Sequence, residues 1–341
     1  MSRAAALLCR LLAAPETARS LDAAQWVEVI AVARAELLIG SLAFRLCGLP
    51  VPPRVDAILA AAIQSAEEGR RQALWEAEMA RRALAPLGCP IVLLKGTAFV
   101  AAGLDAGQGR HIGDLDILVP RTALDAAEAA LLDAGWEWVK PDPYDDEYYR
   151  RWMHELPPLI HRDRDRMIDV HHTILPPTAR TTPDAMKLIA AAEPLGNGLS
   201  ILSAEDIVIH AAIHLFADGD LSGGLRNLWD IDRLVREFLH RDGDYLTKLR
   251  ARAVEHQAAR AVARSLRLAG KLFDTPVPDG KAEQSFDTLA RRRLLARDGW
   301  GRGTYPATRF AFYVRSHWLR MPPMMLARHL WIKSRRRPGN A

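Results

Sequence analysis

Two aspartates separated by one residue give the sequence its clearest chemical signal. Asp114 and Asp116 lie in the run Asp-Leu-Asp-Ile-Leu-Val, whose apolar residues predict a buried β-strand. Because side chains two positions apart on a strand point to the same face, the two carboxylates would stand side by side. Like charges at that separation are unfavourable unless a cation lies between them, and Mg²⁺ is commonly held by carboxylates and substrate phosphates together. The spacing therefore predicts a divalent-metal site that can position a nucleoside triphosphate for in-line attack.

A third carboxylate, Asp169, is predicted to complete this site. It lies in residues 167–171, which are predicted to form a β-hairpin with residues 159–161 around a charged turn. An antiparallel arrangement beside the Asp114 strand would bring Asp169 opposite the aspartate pair, whereas a surface position on the hairpin is the alternative. His171 would share the face of Asp169, where it would contact substrate or support a carboxylate.

The turn after an earlier apolar run is predicted to hold phosphates. Residues 91–94 read as a buried strand, and Lys95-Gly96-Thr97 follows directly. Glycine lets the backbone approach a phosphate closely, while the lysine and threonine add a charge and a hydroxyl group. The pattern is not a P-loop, because GxxxxGK[ST] is absent. Arg110 is predicted to neutralise a phosphate, and for both Arg110 and Lys95 a structural ion pair is the alternative.

Helical patterns flank this region on both sides. Apolar periodicity predicts helices over residues 23–46, where Asp22 is a plausible cap, and over residues 55–87, after the break at Pro52-Pro53. Residues 136–139 read as one more strand. From Ser203, which also resembles a helix cap, the chain is predicted to be helical over residues 204–217, 224–240, 244–271 and 285–297. We therefore expect an N-terminal helical segment (1–87), a core containing a sheet (88–175), and a C-terminal helical domain with a basic tail (176–341).

Composition places the chain among ordinary globular proteins. Of its 341 residues, 49% are hydrophobic and 26% are charged. No apolar run reaches the roughly 20 residues that a membrane span needs, and Arg10 interrupts what would otherwise resemble a signal peptide. Three cysteines (Cys9, Cys47 and Cys89) without a CxxC pair argue against disulfides or a zinc knuckle. They predict buried, inert thiols and a cytoplasmic location.

The charge is unevenly distributed along the chain. The net charge is +5, but residues 1–240 are net acidic and residues 241–341 are net basic. This asymmetry indicates either a basic face that meets an anionic partner or a set of solvated helix faces.

Residues 91–119 resemble the uncharacterised bacterial nucleotidyltransferase family, which belongs to the polymerase-beta-like nucleotidyltransferase superfamily. The superfamily pattern is an apolar strand, a Gly-Gly or Gly-Ser turn, a later Asp-x-Asp, and a third aspartate on another strand. Here Gly96-Thr97 matches the turn, Asp114 and Asp116 match the pair, and Asp169 in Ile-Asp-Val-His matches the third acid. The turn departs from the superfamily in reading Lys-Gly-Thr, although Lys-Gly is usual in this branch. The likeness extends over most of residues 20–330.

The resemblance implies an α+β fold, in which a small nucleotidyltransferase core with a mixed sheet is flanked by N-terminal and C-terminal helical segments. It also implies transfer of a nucleoside monophosphate from a nucleoside triphosphate, foremost ATP, to an acceptor that is a small molecule, a peptide or RNA. Asp114, Asp116 and Asp169 would be the catalytic and metal-binding residues of a two-metal Mg²⁺ site, with Mn²⁺ as the alternative ion. Lys95, Gly96, Thr97 and Arg110 would bind the nucleotide.

Two other functions compete with this interpretation. A catalytically degenerate nucleotidyltransferase fold would bind RNA, a peptide or a protein through its basic C-terminal half. A metal-dependent phosphohydrolase would use His210, His214 and Asp218, but the adjacent His-Asp pair typical of such helical hydrolases is absent. The two histidines are more simply polar residues on one helix face.

Overall fold

The computed structural model describes residues 3–140, 149–218, 220–278, 284–320 and Met324. It is a mixed α+β structure, as the sequence predicts. In chain order the helices are α1 (Arg3–Ala13), α2 (Ala23–Ala35), α3 (Ile39–Arg45), α4 (Pro53–Leu84), α5 (Lys95–Ala101), α6 (Leu124–Asp133), α7 (Ala185–Ala190), α8 (Ala204–Ile213), α9 (Gly224–Arg241), α10 (Tyr245–Glu255), α11 (Ala259–Phe273), α12 (Ser285–Leu294) and α13 (Pro306–Arg320).

Seven strands form a single mixed sheet within the described residues. They are β1 (Val92–Leu93), β2 (Leu115–Leu118), β3 (Trp136–Trp138), β4 (Leu159–His161), β5 (Met167–His171), β6 (Glu193–Pro194) and β7 (Ser200–Ile201). The strand order is β3-β4-β5-β2-β1-β7-β6. The central strand β2 runs parallel to β5 and antiparallel to β1, so the predicted acidic strand lies in the middle of the sheet.

The pairing of β5 differs from the sequence prediction. An antiparallel neighbour was expected to bring Asp169 to the aspartate pair, but β5 runs parallel to β2, with Asp116 directly opposite Asp169. The hairpin itself is confirmed, because β4 and β5 are antiparallel. Side chains directly opposite each other on neighbouring strands share a face, so the parallel register still brings the two carboxylates together.

Local signals explain where several helices begin and end. Asp22 accepts a hydrogen bond from the backbone of Gln25 and forms a capping box with it, and Ser203 caps α8 through the backbone of Asp206. The helix predicted over residues 23–46 is divided in two near Leu37, whose φ is +56°. Another positive φ, at Gln257, divides the helix predicted over residues 244–271. Neither position is a glycine, so the sequence gives no warning of these breaks.

The sheet also extends past residue 175, into the segment predicted to be helical. β7 pairs in parallel with β1, and β6 completes a short antiparallel ladder with β7. Both strands have only two residues, too few for an alternating pattern to be visible in the sequence. Buried residues of the N-terminal helices, the sheet and the C-terminal helices form one hydrophobic core, from Ala4 to Phe312.

The cysteines are not uniformly buried. Cys9 is buried, as predicted, but Cys89 is partly exposed and Cys47 is exposed. The prediction of three buried thiols was wrong because Cys47 lies just after α3, where its apolar neighbours turn inward. Within the described residues, none of the helices combines the length and the apolar character that a membrane span needs.

Candidate functional site

Three carboxylates converge where β2 and β5 run side by side. Each of Asp114, Asp116 and Asp169 offers an oxygen atom, and these atoms lie within 4.8 Å of one another. Asp116 is buried, Asp169 is partly buried, and Asp114 is exposed at the start of β2. The cluster therefore opens to solvent on the Asp114 side and is enclosed on the other.

Asp116 is held in place by two nitrogen groups. Lys95 donates from Nζ to Oδ1 at 2.5 Å, and His171 Nε2 lies 3.0 Å from the same oxygen. Burial alone would raise the pKa of Asp116, but the Lys95 ammonium and the His171 hydrogen bond outweigh it and hold the pKa well below its usual range. Burial alone would likewise lower the pKa of Lys95, but the Asp116 carboxylate raises it above its ordinary value. Both groups are therefore charged at neutral pH.

Asp169 has a different environment from its neighbour. Among the described residues, no hydrogen bond reaches its buried Oδ1 atom. Burial, followed by the charges of Asp116 and Asp114, raises the pKa of Asp169 to about 7. A buried carboxylate oxygen that lacks a donor and faces two other carboxylates is costly unless a cation is shared among them. The three carboxylates therefore fit a divalent cation with oxygen ligands.

Replacing Asp169 by asparagine is expected to stabilise the protein in the presence of a chelator. A carboxyl whose pKa rises on folding contributes stability that is lost as the pH rises from its unfolded value of 3.8 to its folded value of about 7. Removing that carboxyl should raise the free energy of unfolding on the order of 2–4 kcal/mol at pH 8. Below pH 4 the variant should show no gain.

Urea unfolding of wild type and Asp169→Asn at pH 4, 6 and 8 measures this difference. Mg²⁺ added at pH 8 should stabilise the wild type and have little effect on the variant. Equal pH profiles for the two proteins would contradict the crowded environment assigned to Asp169.

The Lys95-Gly96-Thr97 turn begins α5 beside the cluster. The backbone N–H of Leu94 donates to the carbonyl of Asp116, which fixes the start of the turn against β2. Lys95 has a positive φ of 48°, a conformation that costs a non-glycine residue about 1–2 kcal/mol and is frequent at functional sites. The hydroxyl group of Thr97 is buried, and no other described residue forms a hydrogen bond with it.

Gly96 provides room for an arginine side chain. A Cβ atom at this position would lie 2.0 Å from Nη1 of Arg110 and 3.1 Å from Cγ1 of Ile112. The sequence analysis assigned this glycine to close approach of a phosphate. In the structure, the group that comes close is the guanidinium of Arg110.

A Gly96→Ala substitution is therefore expected to displace Arg110 and to destabilise the protein by about 1–3 kcal/mol, as overpacking typically does. The matched control is Gly113→Ala, because a Cβ atom on Gly113 would meet nothing within 4 Å. Thermal unfolding of the two variants measures the difference. Equal melting temperatures would contradict the close packing of Arg110 on Gly96.

Arg110 is buried and forms an ion pair across the molecule. Its Nε donates to Oδ2 of Asp230 on α9 at 2.9 Å, and its guanidinium lies 5.3 Å from the ring centre of Phe99. Arg110 therefore forms the structural ion pair that the sequence analysis gave as the alternative to phosphate binding. Its partner is Asp230 of α9. Because this pair joins α9 to the segment that precedes β2, it helps to position Asp114.

A small cavity adjoins the cluster and carries positive charge. Lys95, Arg110 and Arg226 line it together with Asp230. No described residue forms a hydrogen bond with Nε of Arg226, and burial, followed by the charge of Arg110, lowers the pKa of Arg226. Lys95 is paired with Asp116 and Arg110 with Asp230, so Arg226 contributes the positive charge that these two pairs do not neutralise, and this charge favours an anion.

Two histidines lie at the same cavity, His210 of α8 and His214 directly after that helix. His210 and His214 both line it, with ring centres 6.4 Å apart. Burial, followed by the Lys95 charge, lowers the pKa of His210 well below its usual value. Within the described residues neither histidine belongs to a group of three metal-ligating side chains, and the side chain of Asp218 lies outside that part of the chain. The phosphohydrolase hypothesis gains no geometric support here.

The structure thus brings together the predicted residues Asp114, Asp116, Asp169 and Lys95 and places Gly96, Thr97 and Arg110 next to them. The predicted site residues did not include Arg226, Asp230 or Glu155. Arg226 and Asp230 both lie on α9. Their spacing of four residues, which puts both on one face of α9, was the available signal.

A known protein-family model covers the segment that holds these residues. The family model described as an uncharacterised nucleotidyltransferase matches residues 22–274, which is well over half of the chain and includes all the residues above. No curated protein matches the chain.

Proposed function

The chain belongs to the uncharacterised nucleotidyltransferase family, and from this premise we propose that it transfers a nucleoside monophosphate from a nucleoside triphosphate, foremost ATP, to an acceptor. The observation that carries the proposal is the convergence of Asp114, Asp116 and Asp169 within 4.8 Å across two neighbouring strands. Nucleotidyl transfer needs carboxylates gathered in this way, and the cationic side chains of Lys95, Arg110 and Arg226 lie beside them.

The three carboxylates would hold divalent cations, Mg²⁺ or alternatively Mn²⁺, in a site for two ions. A bound cation would supply positive charge that polarises the phosphate oxygens and neutralises charge in the transition state. Asp116 is already ionised and fixed by Lys95 and His171, so it is prepared to bind a cation without rearrangement. Asp114, being exposed, offers its carboxylate from the open side.

The other residues would bind and orient the triphosphate. Lys95 and Arg226 supply positive charge beside the acidic cluster, and Arg110 adds a third cation that Asp230 partly neutralises. The backbone of Gly96 and the hydroxyl group of Thr97 lie at the start of the same turn. We assign these groups to the β- and γ-phosphates, which depart as pyrophosphate.

The reaction then needs one bond formed and one broken. An acceptor hydroxyl oxygen attacks the α-phosphorus in line, and the bond from that phosphorus to the bridging oxygen of the β-phosphate breaks. Pyrophosphate leaves with the bonding electron pair, and the proton of the acceptor hydroxyl passes to the Asp169 carboxylate. The base of the nucleotide and the class of acceptor (small molecule, peptide or RNA) are left to experiment.

ATP labelled on either the α- or the γ-phosphate tests the proposal. Each form is incubated with the protein, Mg²⁺ and separated small-molecule, protein and RNA fractions of a cell extract. We expect α-label in one of these fractions and γ-label only in pyrophosphate. Transfer of γ-label to an acceptor would indicate a kinase instead. No transfer of either label to any fraction would contradict the proposal that the chain is an active nucleotidyltransferase.

A further inference from the structure

A second group of metal-ligating side chains lies next to the acidic cluster. It consists of His154, Glu155 and His171, each of which offers a nitrogen or oxygen atom within 4.8 Å of the others. Both histidines are buried and the glutamate is partly buried. The proposed transfer reaction uses His171 only as a support for Asp116 and gives His154 and Glu155 no role.

Backbone pairing fixes the three residues relative to one another. Glu155 forms an antiparallel bridge with His171. The N–H of Leu156 donates to the carbonyl of Val170, and the N–H of His172 donates to the carbonyl of His154, both at 2.9 Å. The segment with His154 and Glu155 is thus held along the end of β5. The side chains meet because the main chain places them together.

Two of the ligand-to-ligand distances within this group are close to those around a tetrahedral zinc ion. Oε2 of Glu155 lies 3.3 Å from Nδ1 of His171 and 3.6 Å from Nε2 of His154. Zinc binds histidine nitrogen and carboxylate oxygen at about 2.0–2.2 Å, so two tetrahedral ligands stand about 3.3–3.5 Å apart. All three ligand atoms lie within 4.8 Å of one another, so side-chain rotation would bring them to one ion.

The orientation of the His171 ring gives a second, geometric argument. Its Nε2 faces the carboxylate of Asp116, which only accepts hydrogen bonds, so Nε2 is the donor and Nδ1 is the ring nitrogen that faces Glu155. In the described part of the chain, Nδ1 is buried and no hydrogen bond reaches it. Nδ1 lies 3.3 Å from Oε2 of Glu155, so a cation placed between these two atoms would be bound by both.

The hydrogen bond between His171 and Asp116 is of the kind that supports metal-ligating histidines. Such histidines usually donate their other ring N–H to a carboxylate, which fixes the tautomer and the orientation of the ring. Asp116 does this for His171. The same aspartate would thereby support one metal ion through His171 and bind another directly.

We propose that His154, Glu155 and His171 bind Zn²⁺. Two imidazoles and one carboxylate are ligands that zinc favours, whereas the three carboxylates of the acidic cluster suit the harder Mg²⁺. Three protein ligands leave a fourth position for water or a substrate group, as in catalytic zinc sites. The zinc site goes beyond the proposed transfer and does not depend on it, because its ligands would bind zinc whether or not the chain transfers nucleotides.

Zinc binding by the metal-stripped full chain, in competition with a chromophoric zinc chelator, tests the proposal. We expect one zinc ion per wild-type chain and affinity at least about 100-fold weaker in His154→Ala and Glu155→Gln, because loss of a ligand should cost no less than loss of a supporting group. Asp169→Asn, which alters only the acidic cluster, should retain the ion. His240→Ala, a variant at an exposed histidine of α9, should retain it too.

Several results would overturn the assignment. They are wild-type affinity no higher than that of His154→Ala, retention of zinc by Glu155→Gln, or loss of zinc in Asp169→Asn or His240→Ala. Cobalt binding to the wild-type protein gives a readout that needs no variant. Intense visible absorption, typical of a tetrahedral ion, is expected, whereas the weak bands of a six-coordinate ion would contradict the site.

Discussion

Replacing Asp116 by asparagine is expected to lower α-phosphate transfer by about a thousandfold. The carboxylate lies at the centre of the acidic cluster, and its loss removes a ligand whose cation would supply several kcal/mol of transition-state stabilisation. Each 1.4 kcal/mol of that stabilisation corresponds to a factor of ten in rate. The Asp116 carboxylate also accepts hydrogen bonds from Lys95 and His171, and the amide of asparagine is a weaker acceptor. We therefore expect the free energy of unfolding to fall by about 1–3 kcal/mol.

Label transfer from ATP, measured at a temperature where both proteins are folded, separates the two effects. The matched control is Asp163→Asn, at an exposed aspartate in the turn between β4 and β5, which should leave both activity and stability unchanged. A rate within tenfold of wild type for folded Asp116→Asn would show that the chemistry does not occur at this cluster.

Replacing Asp230 by alanine is expected to cause the largest loss of stability among the substitutions considered. Its partner Arg110 is buried, and the two groups are joined at 2.9 Å. Removing the acid leaves a buried guanidinium without a counter-charge, which typically costs about 3–5 kcal/mol. Replacing both residues by apolar side chains of similar size, as in Arg110→Met/Asp230→Leu, should recover most of that loss, because no buried charge then remains unpaired.

Urea unfolding of the two proteins, combined with ATP titration of the double variant, distinguishes the two roles of Arg110. We expect the double variant to be close to wild type in stability but to bind Mg²⁺-ATP about tenfold more weakly, a difference of about 1.4 kcal/mol. Unchanged ATP affinity would assign Arg110 to structure alone. A loss of less than 1 kcal/mol for Asp230→Ala would show that the pair is not buried as described.

The acidic cluster was predictable from the sequence because its signals are local. Asp114 and Asp116 occupy alternate positions of an apolar strand, and Asp169 lies in a recognisable hairpin strand. Strand periodicity is enough to place such side chains on one face. Which strand pairs with β2, and in which direction, depends on contacts distant in sequence, and there the antiparallel prediction was wrong.

The surroundings of the cluster were less accessible from the sequence. Arg110 and Asp230 are separated by 120 positions in the sequence. Their ion pair depends on how α9 packs against the core, which the sequence pattern does not show. The group of His154, Glu155 and His171 depends on a single backbone bridge beyond the regular strands. A single bridge of this kind leaves no repeating pattern in the sequence, because it depends on the path that the chain takes beside β5.

Calorimetric titration of ATP into wild type and Asp114→Asn, each with and without Mg²⁺, tests the central claim most directly. Asp114 is exposed, so its replacement should change stability by no more than about 0.5 kcal/mol while removing a carboxylate from the cluster. We predict that wild type binds ATP only with Mg²⁺ and that the variant loses this binding. Equal binding by both proteins, or no binding of any nucleoside triphosphate to wild type, would contradict the account. The latter result would favour a fold that has lost catalysis and binds RNA, a peptide or a protein through its basic C-terminal half.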